Sequence, residues 1–193
     1  ALLPLAVVCS IEWLRSESRN VKLLFLASVL NAGLFLTHAR VAVFAACTLA
    51  AYLLIESIGC LCSNRKSALR AIWLKASGLL AGPVLLCLPW LARLASTVPA
   101  AVSGSASGSS DATYNAVPTG LLLIRNNSQL FLIAGLGVLL GWRRYRREIN
   151  SILLAGILVW LAVNPSWLGL PGTNLVNNAS AVISLFLPLS ILG

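Results

Sequence analysis

Three arginines and one histidine stand apart from the other cations of this chain. His38 is its only histidine, and Arg40 follows two residues later. In a tight helix–helix connection the two can face one phosphate or carboxylate together, the guanidinium as a fork and the imidazole as donor or acid. The same pair also reads as a polar interfacial turn whose arginine meets lipid phosphate. Arg93 follows Leu88-Pro89-Trp90-Leu91-Ala92, an interfacial tryptophan on a proline-broken helix end, and anchoring by the aromatic belt explains it without a ligand. Arg125, with Asn126 and Asn127, interrupts an apolar stretch. A polar break near membrane depth must line a cavity or be buried in protein. His38, Arg40, Arg93 and Arg125 are therefore the candidate substrate-binding residues; no catalytic group is assigned.

Other chemistry-bearing residues have plainer readings. Asp111 sits in a Ser/Gly tract, where a single acid is usually solvated. Glu12 and Glu56 fall near the ends of apolar runs, within reach of water or of Arg15 and Arg65. Asn31 lies in the middle of an apolar run and is expected to hydrogen-bond between helices. Asn126-Asn127-Ser128 and Asn178-Ala179-Ser180 match the glycosylation acceptor pattern, which is short and common by chance. The five cysteines lie in or at the ends of apolar runs, and Cys60-Leu61-Cys62 lacks metal-site spacing; they read as small packing residues. No metal-ligand cluster or nucleophile triad is apparent, and no cofactor is expected. Gly135-Leu136-Gly137 lies in an apolar run, so it is not a nucleotide fingerprint.

The elements that must position these residues follow from composition. Of 193 residues, 59% are hydrophobic and 10% charged, against roughly 25% charged in a soluble domain. Lipid is the solvent that removes the cost of so much apolar surface. The net charge of +9 does not imply nucleic acid as a partner, because the cations form short clusters between apolar runs rather than one patch. The pattern predicts an all-α polytopic transmembrane helix bundle with about six or seven spans, two of them cut at the chain ends. Ala1 opens inside an apolar run and Gly193 closes another, which reads as a fragment of a longer chain. The apolar runs are 1–14, 23–37, 41–62, 76–92, 130–142, 149–163 and from about 179 on. Gly82-Pro83 and Pro89 interrupt the fourth, where proline tends to kink a helix. A short interfacial or re-entrant segment near 120–124 precedes the fifth, and 103–110 is a flexible linker by composition.

Alternating crossings sort the fourteen Lys and Arg residues. Eleven fall in connectors 15–22, 63–75 and 143–148; the remaining three, Arg40, Arg93 and Arg125, fall in 37–40, 93–118 and the polar break. The basic connectors are thus expected to be cytoplasmic and to bind lipid headgroups. His38, the 93–118 connector and the 164–178 connector are expected outside. The outer arginines oppose the topological rule, so an anionic ligand at that face is one explanation for them.

Several segments resemble the membrane part of the GT-C superfamily of glycosyltransferases, which use polyprenyl-phosphate-linked sugars. They are Leu36-Thr37-His38-Ala39-Arg40-Val41-Ala42-Val43-Phe44, Leu86-Cys87-Leu88-Pro89-Trp90-Leu91-Ala92-Arg93-Leu94, the Gly-rich run ending at Arg143 to Arg147, and Asn164-Pro165-Ser166-Trp167-Leu168-Gly169-Leu170-Pro171. The resemblance implies an integral protein of a bacterial or archaeal plasma membrane. It implies transfer of a sugar from a polyprenyl-phosphate donor at the outer face, with a carboxylate base for the acceptor and cations for the leaving phosphate. In the superfamily that acid usually lies in a first outer loop, for which this chain has no counterpart. By charge and side, His38, Arg40 and Arg125 fit the donor phosphate. Two other readings stay open: half of a transporter or flippase with proline-broken spans lining a path, and a non-catalytic membrane scaffold.

Overall fold

The computed structural model describes residues 2–16, 20–102, 127–168, 176–184 and 186–192, which are helical or in turns, with no strand among them. The chain runs through α1 (Leu2–Arg15), α2 (Val21–Thr37), α3 (Ala39–Cys62) and α4 (Lys66–Val102). After residues outside the description come α5 (Asn127–Gly141), α6 (Arg146–Val163), a 3-10 turn (Pro165–Leu168), α7 (Asn178–Ser184) and α8 (Phe186–Leu192).

Local signals set these boundaries. The Asn20 side chain accepts from the Leu23 N–H at 3.2 Å and opens α2, satisfying one of the free donors of a helix start. A single residue, His38, separates α2 from α3. Its N–H donates to the Leu34 carbonyl at 2.8 Å, and its carbonyl accepts from Val41 and Ala42 at 2.8 and 3.0 Å. Asn64, at φ 52°, is the one non-glycine residue with positive φ among those described; asparagine tolerates this left-handed conformation after a helix. It lets the chain leave α3 and start α4 within three residues. Between α5 and α6, the N–H groups of Arg144 and Tyr145 both donate to the Gly141 carbonyl.

α3 is the central element. It packs most extensively on α6 and also touches α1, α2 and α4. One core joins Trp13 and Leu14 of α1, Ala27 of α2, Tyr52 of α3, and Ala76 and Leu79 of α4. A second joins Phe44 of α3, Val159 and Val163 of α6, and Val176 and Ala181 at α7. Many fully buried positions are small, among them Ala6, Ala27, Ala51, Ser10 and Ser28, which lets backbones approach closely. The tightest approach is α2 against α4, where a Cβ added at Gly82 would overlap the Ser28 side chain.

Outside these cores many large apolar side chains are exposed. Leu80, Leu85, Leu132, Leu139 and Leu140 are exposed, Leu140 to 85%. Two helices, Ala39–Cys62 and the Lys66–Arg93 part of α4, are long and apolar enough to cross a membrane. Val21–Thr37 and Gln129–Gly141 are apolar but shorter.

Several boundaries differ from the sequence expectation. α4 starts at Lys66, inside the segment read as connector 63–75, and is helical without a break through Pro83 and Pro89 to Val102. Lysine and arginine favour helices as strongly as leucine does, so charge alone did not mark a loop. The last apolar run contains α7 and α8, on either side of residue 185, which lies outside the described residues. The Ser/Gly tract 103–110, Asp111, the 120–124 segment, Arg125 and Asn126 lie outside the described residues.

Candidate functional site

The His38 corner opens onto a groove of about 560 Å³. His38, Ala39, Arg40, Val41 and Phe44 form one wall, at the end of α2 and the start of α3. Leu3 of α1 and Ser180, Ile183 and Ser184 of α7 complete it. His38 and Arg40 are both exposed at its mouth, while Leu3, Val41, Phe44 and Ile183 give it apolar walls. The positive end of the α3 dipole and the negative end of the α2 dipole both meet at this corner, so they offset each other and Arg40 supplies the net positive field.

The α7 wall is fixed by asparagines. Asn177 caps α7, its Oδ1 accepting from the Ser180 N–H at 2.9 Å and from Ser180 Oγ at 2.7 Å. Asn178 and Asn164 exchange side-chain hydrogen bonds of 2.9 and 3.2 Å, and Asn164 Nδ2 also donates to the Trp160 carbonyl at 3.0 Å. Both asparagines are buried, so this clasp fastens the end of α6 to the start of α7. Ser184 Oγ donates to the Ala181 carbonyl at 2.7 Å. With their protons engaged inside the helix, Ser180 and Ser184 present hydroxyl lone pairs. Arg40 is chemically suited to donate to an anion, and the two serines to accept from hydroxyl groups.

The four candidates from the sequence do not all meet here. His38 and Arg40 line the groove; Arg93 is exposed on α4 and is not among its lining residues. The helix passes Arg93 without a break, so Arg93 does not follow a proline-broken end. Trp90 beside it stacks edge-on against Phe35 of α2, centroids 5.9 Å apart. Arg125 lies outside the described residues. Sequence reasoning missed Ser180 and Ser184, which arrive from the far end of the chain. The Asn177-x-x-Ser180 spacing of a helix cap was the available signal, and it was read as a glycosylation acceptor at Asn178 instead. In the folded chain Asn178 is 2% exposed and hydrogen-bonded to Asn164, which leaves no room for a glycan.

The other polar expectations resolve as structure. Asn31 Nδ2 donates to Ser10 Oγ at 3.0 Å, linking α2 to α1 as expected, and to the Ala27 carbonyl at 2.8 Å. Arg15 pairs with neither Glu12 nor Glu56: its Nη2 lies 3.6 Å from Glu148 Oε1 on α6. Cys9 and Cys87 are buried, and the five cysteines are free thiols. No group of three His, Cys, Asp or Glu suited to a metal occurs among the described residues.

Arg15, Arg65, Lys75 and Arg147 gather near the Cys62 end of α3. The α3 residues that line their cleft, Tyr52, Glu56, Gly59 and Cys60, lie roughly 20–33 Å along the helix axis from His38. Among the described residues, Arg40 therefore lies towards one end of α3 and the Arg15, Arg65, Lys75 and Arg147 group towards the other; Arg19 and Arg125 lie outside the described residues. No family model, curated protein or solved structure matches the chain.

Proposed function

We propose that the chain is a multi-span membrane helix bundle, and that its His38–Arg40 groove receives the phosphate of a lipid-linked sugar. In this reading it is part of a glycosyltransferase that uses a polyprenyl-phosphate donor at the outer face. The observation that carries it is the amphipathic character of the groove. A guanidinium and an imidazole stand at the mouth, and Leu3, Val41, Phe44 and Ile183 form the walls. A charged head joined to a hydrocarbon tail satisfies both parts; a water-soluble anion satisfies one.

Arg40 holds the phosphate as a bidentate fork. His38 donates a further hydrogen bond. Ser180 and Ser184 accept from sugar hydroxyls. In the transfer, the acceptor oxygen loses its proton to a carboxylate and bonds to the anomeric carbon, while the bond from that carbon to the phosphate oxygen breaks. Arg40 stabilises the charge that develops on the leaving phosphate. No carboxylate lines the groove among the described residues, so the groove is assigned donor binding and the base is left unassigned.

The membrane part of the reading is supported by the exposed leucines of α4 and α5 and by the low burial of α4, 17% across its most apolar window. The transporter reading rests on Pro83 and Pro89, which lie within the continuous helix α4. The test is binding of a short polyprenyl phosphate to the chain in phosphatidylcholine nanodiscs. Arg40→Ala is expected to weaken binding about tenfold, the worth of one charge-assisted contact. Equal affinity in the variant removes Arg40 from the site.

A further inference from the structure

We propose that the cleft at the opposite, basic end of the bundle is a second anion site, built for a phosphomonoester or diphosphate group. In the sequence its cations belong to three connectors and read as separate headgroup anchors. In the fold they converge. Arg15 from α1, Arg65 just before α4, Lys75 nine residues after its first residue, and Arg147 from α6 line one cleft of about 630 Å³ beside α3.

Two of these cations are held in place by the protein rather than extended into solvent. Arg15 Nε donates to the Tyr52 hydroxyl at 3.2 Å, and its guanidinium lies 5.5 Å from the centre of that ring. Glu148 holds the other side of the same guanidinium. Lys75 Nζ donates to the Ser16 carbonyl and stands 5.7 Å from the Trp13 ring centre. Arg147 reaches across to Gly59, where its Nη2 lies 3.9 Å from the position a Cβ would take. Glycine at that point leaves the floor of the cleft open.

The charge balance favours a dianion. Among the described residues four cations face two carboxylates, Glu56 and Glu148, a net excess of two positive charges, and Glu148 is already engaged with Arg15. The Tyr52 hydroxyl accepts from Arg15, so its own proton is available to a ligand oxygen. Basic pockets between helices at a membrane face are a recognised form of phosphate-headgroup site. The same chemistry would take a soluble diphosphate. By contrast, Arg143 and Arg144, equally basic and close in sequence, do not line the cleft; Arg144 stacks on Tyr145 at 5.5 Å.

The experiment uses the chain in phosphatidylcholine nanodiscs with two probes. Inorganic pyrophosphate is titrated by calorimetry, and phosphatidic acid doped into the discs is followed by native mass spectrometry. Saturable binding of pyrophosphate identifies a soluble ligand, and selective retention of phosphatidic acid alone identifies a lipid. In either case Arg147→Gln, an exposed position, weakens binding about tenfold, and Arg143→Gln changes it by less than about twofold. Binding of neither probe overturns the proposal. So does an equal loss in Arg143→Gln, which would make the attraction a diffuse surface charge.

Discussion

Substituting Gly82 by Ala sets two effects of known size against each other. Alanine in place of glycine inside a helix gains about 0.5–1 kcal/mol from backbone entropy. The added methyl group, however, would overlap Ser28 Oγ and lie 2.8 Å from Ser28 Cβ. Rotating the Ser28 hydroxyl relieves only the first contact, because the Cβ moves only with the backbone of α2. The two helices must separate by roughly 1 Å at a tightly packed crossing, and such overpacking costs about 1–3 kcal/mol. The difference runs from about zero to a loss of about 2.5 kcal/mol, and the Pro83 ring, crowded by any side chain at position 82, adds to the loss. A thermal melt in detergent, followed by tryptophan fluorescence, should show a fall of about 2–4 °C per kcal/mol. Ser28→Gly removes both clashing atoms and leaves the Ser28 Cα at 3.9 Å, an ordinary contact, so the double variant recovers most of the loss. Recovery is partial because Gly82 precedes Pro83, and any side chain before proline crowds its ring in a helix. A Gly82→Ala variant as stable as the parent, or a double variant no better than the single one, refutes the close α2–α4 crossing.

Asn31→Ala removes the bond to Ser10 at 3.0 Å and should cost about 0.6–1.7 kcal/mol in the same melt; no change would detach α1 from α2. Glu148→Gln breaks an ion pair whose partners are 49% and 51% exposed, so its effect on stability should stay below about 1 kcal/mol and shrink in added salt. In a glycosylating host, Asn178→Gln should leave gel mobility unchanged, since Asn178 is buried against Asn164; a mobility shift would show that side chain to be accessible.

The helical class was legible because periodic apolar content with so few charges admits little else, and residue types mark several boundaries. Asn20 before α2 and the His38 break between α2 and α3 are readable as punctuation. The Lys66 start of α4 was not, because a run of Lys, Arg, Ala and Leu is as good a helix as it is a basic connector. Of the candidate site, His38 and Arg40 were legible from their isolation in an apolar background. Ser180 and Ser184 were not: nothing local says that α7 returns to the start of α3. The Asn164–Asn178 clasp that brings it there is a pairing across fourteen residues. The basic cleft was hidden for the same reason, since its cations are neighbours only after α1, α4 and α6 have packed around α3.

His38 and the basic cleft lie towards opposite ends of α3, and the proposed membrane bundle requires them to face opposite sides of the bilayer. Cysteine accessibility in sealed cells tests this directly, with variants that keep one cysteine each: native Cys62, exposed at the basic end, and Thr37→Cys, exposed beside His38. A membrane-impermeant maleimide should label Thr37→Cys from outside and Cys62 only after the membrane is permeabilised. Labelling of both from the same side would contradict the account.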